Sequence, residues 1–280
     1  MTTAVVERDT APRAPSAPGA SSKPLFPDVV RSEWTKLRSV RSTYWTLLVA
    51  AVAAIGLSAL ISSVYVNRYD GLSVADKAGF NPTSFSLNGL FLAQLAIAVL
   101  GVLVITGEYS TGMIHSTFAA VPQRRTVLAA KAAVFGAVAV VVGIVMCFIA
   151  FFLGQSILSA KGIEAHIGDP GVLRSVVGAG FYLGILGLLA LGLGALIRHS
   201  AGAIAAVFGL IFVLPGIVAA LPSSWSNAID KYLPSSAGEA IFRTVRDRST
   251  LSPWAGFGLF CLYAALALGA AAVMLSRRDA

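Results

Sequence analysis

The sequence predicts an all-α integral membrane protein. It has six transmembrane helices, an N-terminal amphipathic helix on the membrane surface and short outer helices before the last span. Three observations predict this. Hydrophobic residues make up 56% of the 280 residues and charged residues only 12%, about half the charged share of an average soluble domain. The apolar residues cluster in six runs of about 20 or more, the length that crosses a bilayer. The charged residues gather in the tails and loops between those runs.

Taken in order, residues 1–26 are rich in Ala, Pro, Ser and Thr. That composition predicts a disordered tail, expected to be cytoplasmic. Residues 27–280 then form a single membrane domain. Within Pro27–Ser42, Val30, Trp34, Leu37 and Val40 recur at spacings of three and four, with Val29 beside them. Arg31, Lys36, Arg38 and Arg41 surround this stripe, and Asp28 is placed to cap its start. A basic amphipathic helix with a Trp lies along a membrane surface; the alternative is a plain juxtamembrane basic patch. Trp34, Lys36 and Arg38 are the anchoring candidates here, joined later by Arg124, Arg125 and Lys131.

The spans are expected near Tyr44–Val66, Ser86–Thr106, Val127–Leu153, Val172–Ile197, Gly202–Leu221 and Trp254–Leu275. Pro215 should kink or end the fifth. The first run follows a long polar tail and is followed by more such runs, so it reads as an uncleaved helix rather than a signal peptide. Between the last two spans, Trp225, Ile229 and Tyr232 fall at helical spacing, and Gly238–Arg248 reads as a second short helix. Gly180 and Gly184 on the fourth span, and Gly202, Gly209 and Gly216 on the fifth, mark close-packing seams, within the chain or between two copies.

Charge distribution sets orientation. Of the 21 lysines and arginines, 13 fall on the side of the two termini and 8 on the other. The positive-inside rule therefore predicts cytoplasmic termini in the cell (plasma) membrane. It also accounts for the net charge of +8 without invoking nucleic acid.

Several chemistries are excluded or weakened by what the spans contain. Their central parts carry no Asp, Glu, Lys, Arg or His, which argues against a proton relay. Ser58, Ser62, Asn88, Gln94 and Gln155 are the most deeply embedded polar residues. Cys147 and Cys261 lie in apolar runs, outside any metal-binding spacing. His115, His166 and His199 occupy loops or helix ends, no HExxH is present, and no GxxxxGK[ST] phosphate loop occurs. No cofactor is therefore expected on this chain. Catalysis by it alone is disfavoured, leaving an intramembrane enzyme as the weaker rival and an ATP-independent channel or secondary carrier as the stronger one.

The polar exception is Gly107–Lys131, between the second and third spans. Here Glu108-Tyr109-x-x-Gly112-Met113-Ile114, followed by Ala120-Val121-Pro122-x-Arg124-Arg125-x-Val127-Leu128-x-x-Lys131, resembles the pattern after the second helix in permease subunits of type-2 ATP-binding-cassette (ABC) exporters. Arg31-Ser32-Glu33-Trp34-Thr35-Lys36-Leu37-Arg38 and Thr43-Tyr44-Trp45 resemble the start of bacterial members. Met113 stands where Thr is usual, and His115 where Arg or Glu is frequent.

The resemblance implies a cytoplasmic coupling hairpin that docks on a separate ABC ATPase subunit. ATP and Mg would be bound by that partner, and a second permease copy or paralogue would complete a dimer. On this implication Glu108, Tyr109, Gly112, Ile114, Phe118 and Pro122 are the ATPase-coupling candidates. Gly107 is expected to release the chain from the second span, and Glu108 to face the N–H groups that open a new helix. Ile114, Phe118 and Val121 form an apolar edge, directed into a partner groove or else against membrane or the chain's own helices. Pro122 ends that helix, and Arg124 and Arg125 anchor the next span or serve topology alone.

Overall fold

The computed structural model describes residues 25–244 and 250–277; the predicted tail lies almost wholly outside them. The first helix, α1 (Phe26–Ser39), starts where Pro27 supplies a preset φ and the Asp28 carboxylate accepts the Leu25 N–H at 3.3 Å. Val40, in extended conformation, separates it from α2 (Arg41–Arg68), the first span. The inward face of α1 is rotated by one residue from the predicted stripe. Val29, Glu33, Lys36 and Leu37 turn toward the bundle, whereas Trp34 and Val40 are exposed.

Two short helices that the hydropathy pattern does not announce follow, α3 (Val74–Ala78) and α4 (Pro82–Ser86), each capped by the residue before it, Ser73 and Asn81. The second span, α5 (Leu90–Ser110), therefore begins and ends four residues later than expected. Gly107 stays helical; the break comes at Gly112, whose φ of +72° is costly for any residue with a Cβ. Beyond it lie α6 (Met113–Ala120) and α7 (Arg124–Leu158), the third span. At 35 residues, α7 is about 52 Å long, well beyond a hydrocarbon core of about 30 Å.

The fourth span, α8 (Val172–Ile197), is the most buried and packs against α5, α7 and the last helix. Its glycines permit this. A Cβ on Gly180 would lie 2.6 Å from the Ile144 backbone nitrogen, and one on Gly184 would lie 2.2 Å from Val140 Cγ2. The fifth span comprises α9 (Ser200–Phe208), a π-helical segment (Gly209–Val213) and α10 (Leu214–Ala219). Pro215 cannot donate to a carbonyl four residues back, and the wider π turn precedes it. It thus distorts the span rather than ending it. Among the described residues, nothing outside the local helix backbone lies within 4 Å of a Cβ built on Gly209 or Gly216, so these two glycines mark no seam inside the chain.

At the far end, α11 (Ser223–Asp230) carries the predicted Trp225–Ile229 face. The next helix, α12 (Pro234–Glu239), replaces the expected Gly238–Arg248. Pro234 supplies the helix start, and residues 240–242 form a turn. Residues 245–249 lie outside the described set. The last span is α13 (Pro253–Arg277). Among the described residues, six helices are thus long and apolar enough to cross a membrane. Cys147 is buried, Cys261 is partly exposed, and both are free.

Candidate functional site

The ends of α5 and α13, the starts of α7 and α9, and all of α1 and α6 gather on one side of the bundle, where charge meets charge. Val29 packs on Val127 and Ala130 of α7, which sets one helical turn further along each helix in register. Glu33 then faces Lys131, its Oε2 accepting from Lys131 Nζ at 2.6 Å. From α5, Glu108 Oε1 accepts from the same Nζ at 2.7 Å. Glu33, Glu108 and Lys131 are each only 4% exposed. Lys36, one turn after Glu33 and half-buried, closes the ring. It donates to Glu33 Oε1 at 2.7 Å, to Glu108 Oε1 at 3.3 Å and to Thr117 Oγ1 of α6 at 3.1 Å.

Burial disfavours the charged form of Lys36, but its hydrogen bond to Glu33 and the adjacent Glu108 and Glu33 carboxylates outweigh this. Its pKa is raised above the ordinary 10.5. Four side chains with opposing charges thereby join α1, α5 and α7, and the Thr117 hydroxyl ties α6 to them.

This arrangement corrects three expectations. Glu108 does not cap a new helix; it sits in the last turn of α5, where its Oε1 is held by ion pairs with Lys131 and Lys36. Lys36 and Lys131 are not headgroup anchors, because two carboxylates within reach draw both ammonium groups inward. Ile114 and Phe118 do not form a free apolar edge. Ile114 is 1% exposed, and Phe118 packs against the chain's own clusters with the Arg124 guanidinium 5.3 Å from its ring centre.

The remaining candidates are placed as follows. Tyr109 packs beside the same core, with the Arg198 guanidinium 5.3 Å from its ring centre. Gly112 makes the turn into α6, and Pro122 lies exposed just after it. Arg124 donates to the Leu275 carbonyl at 3.1 Å and Arg125 to Ser276 Oγ at 3.0 Å, clamping the last turn of α13. Trp34 and Arg38 lie on the outward face of α1. The exposed surface of α6 is instead Met113, His115, Ser116, Ala119 and Ala120.

Glu33 is the residue that sequence reasoning missed. The signal was a lone acid on the apolar side of a basic helix, four residues after Val29 and four before Leu37. Among the described residues, no group of three or more His, Cys, Asp or Glu side chains could hold a metal ion.

Compared with known proteins, residues 29–216 match the family model described as ABC-2 family transporter protein. No curated protein matches the chain.

Proposed function

Because the chain belongs to the ABC-2 family of transporter proteins, and is a multi-pass membrane permease, we propose that it is the membrane half of an ATP-driven exporter. In this reading a separate ABC ATPase subunit binds the α6 hairpin from the cytoplasm, and ATP with its Mg belongs to that partner. A second permease copy or paralogue completes the pathway, and both termini are cytoplasmic. The absence of a GxxxxGK[ST] loop from the sequence and the excess of Lys and Arg on the side of α6 support this assignment.

The observation that carries it is the wiring of α6. A push on its exposed face reaches Thr117, whose hydroxyl meets Lys36, and Lys36 is bonded to the carboxylates that hold Lys131. The end of α5, the start of α7 and the whole of α1 are thus obliged to move together. Such a rigid cluster can convert a partner's closure into a rearrangement of spans.

The test is transport. Chain purified with its ATPase and reconstituted in vesicles should move an amphipathic fluorescent cargo only when ATP is supplied on the α6 side. Equal transport by the chain alone would make it a channel or carrier instead.

A further inference from the structure

A cavity of about 570 Å³ lies between the α1–α2 corner and the flanks of α5 and α7. Leu37, Leu103, Val104, Val134 and Phe135 give it apolar walls, while Glu33, Lys36, Glu108 and Lys131 form its polar end. We propose that this cavity is a binding site for a single amphiphile, with a primary ammonium head at Glu108 and a hydrocarbon tail along Leu103, Val134 and Phe135. Neither the family match nor the transport reading assigns it, and it requires only that the chain sit in a membrane.

The size falls inside the range of ligand sites, roughly 300–1,000 Å³, which are typically apolar with a few converging polar groups. The head chemistry follows from the hydrogen bonds left unmade. Lys36 spends its three N–H donors on Glu33, Glu108 and Thr117. Both Glu33 oxygens are engaged. Glu108 Oε2 is buried with no hydrogen-bond partner. A buried carboxylate oxygen without a donor is costly, so the spare capacity at this end is for a donor. An anionic head would meet both carboxylates, with Lys36 fully spent and only the third N–H of Lys131 left to receive it. Access follows from the rim, where Val40, Leu103 and Met113 are exposed. They open the cavity sideways at the end of the spans, where lipid heads and tails meet.

A primary ammonium on a hydrocarbon tail has two sources, a membrane aminophospholipid or a free long-chain amine. The full chain is placed in phosphatidylcholine vesicles containing a phosphatidylethanolamine whose tail carries a diazirine, then irradiated and mapped by mass spectrometry. Label is expected at Leu103, Val134 or Phe135. Unlabelled phosphatidylethanolamine or dodecylamine should compete about tenfold more strongly than phosphatidylglycerol at the same concentration, the equivalent of one hydrogen bond to a charged group. Leu103→Trp, which fills the cavity without touching the charges, should remove this label while sparing label at lipid-facing Val52 and Leu60. Glu108→Gln should remove the preference for ammonium heads. Stronger competition by dodecylamine identifies a free amine as the occupant, and stronger competition by phosphatidylethanolamine a membrane lipid. Equal competition by phosphatidylglycerol, or unchanged label in Leu103→Trp, overturns the proposal.

Discussion

At one end of the bundle Glu33, Lys36, Glu108 and Lys131 join α1, α5 and α7 through charge. At the other, α7 is tied to its surroundings by a neutral amide. Gln155 donates to the Pro82 carbonyl at 3.1 Å and to Ser86 Oγ at 2.7 Å, and accepts from the Ala165 N–H at 2.8 Å. Tyr65 stacks on Phe80 there at 4.1 Å, with Phe85 tilted against both. Asn81 bonds to Thr244, and Arg174 donates to the carbonyls of Ile241 and Arg243. The ion pairs at this end, Lys161 with Asp70 and Arg243 with Glu239, are partly or fully exposed to solvent, so this end divides its load among many modest contacts, each of which can fail alone. The charged end cannot fail in part, since removing one charge strands another in a dry site. Helices held in that way move as a unit.

Three perturbations sharpen the contrast. The largest effect is expected from Lys131→Ala, which removes the buried cation between Glu33 and Glu108 and leaves them only the half-buried Lys36. Breaking a buried pair costs about 3–5 kcal/mol. Thermal unfolding in detergent should fall accordingly, and α1 should detach from α7, read as loss of a disulfide cross-link between cysteines placed at Val29 and Ala130. Gln155→Leu at the opposite end should cost less, about 1–3 kcal/mol for the groups left unpaired, and should keep that cross-link intact. Thr117→Val is smaller again, about 1 kcal/mol for one hydrogen bond. It should loosen α6 alone, so partner binding persists while ATP-driven transport weakens. Equal cross-link loss in Lys131→Ala and Gln155→Leu would erase the distinction between the two ends.

A weaker prediction concerns pH. Because the Lys36 pKa is raised in the folded chain, its contribution is complete below 10.5, the ordinary value, and is lost only as pH rises through the higher folded value. The Val29–Ala130 cross-link should therefore show no Lys36-dependent change near neutrality and should weaken only in strong alkali. A Lys36→Met variant should lack that alkaline step.

Most of the architecture was legible because bilayer crossing is written in single segments. The fourth span was placed at its observed limits, and the Gly180–Gly184 contact was foreseen from small-residue spacing. Short helices such as α3 and α4 were not, since five residues carry no hydrophobic period. The charged cluster was illegible for another reason. Glu33 and Lys131 stand 98 residues apart, and nothing in one sequence says that a lysine at the start of a span will meet a surface helix's acid rather than a lipid phosphate. The residues around Glu108 were assigned outward, toward a partner, whereas Glu108, Ile114 and Phe118 face the chain's own helices.

That inversion decides which substitutions are informative. Glu108→Ala or Phe118→Asp perturbs the chain's own packing, whereas Ala119 is exposed on α6 and Trp225 is exposed on α11 at the opposite end. The most direct measurement is therefore the amount of ATPase that co-purifies from native membranes, in mild detergent, with Ala119→Arg compared with Trp225→Arg. Docking on α6 predicts that the ATPase is lost from Ala119→Arg and retained by Trp225→Arg, with both variants melting like the parent chain. Equal retention by the two, or no ATPase with the parent, would contradict it.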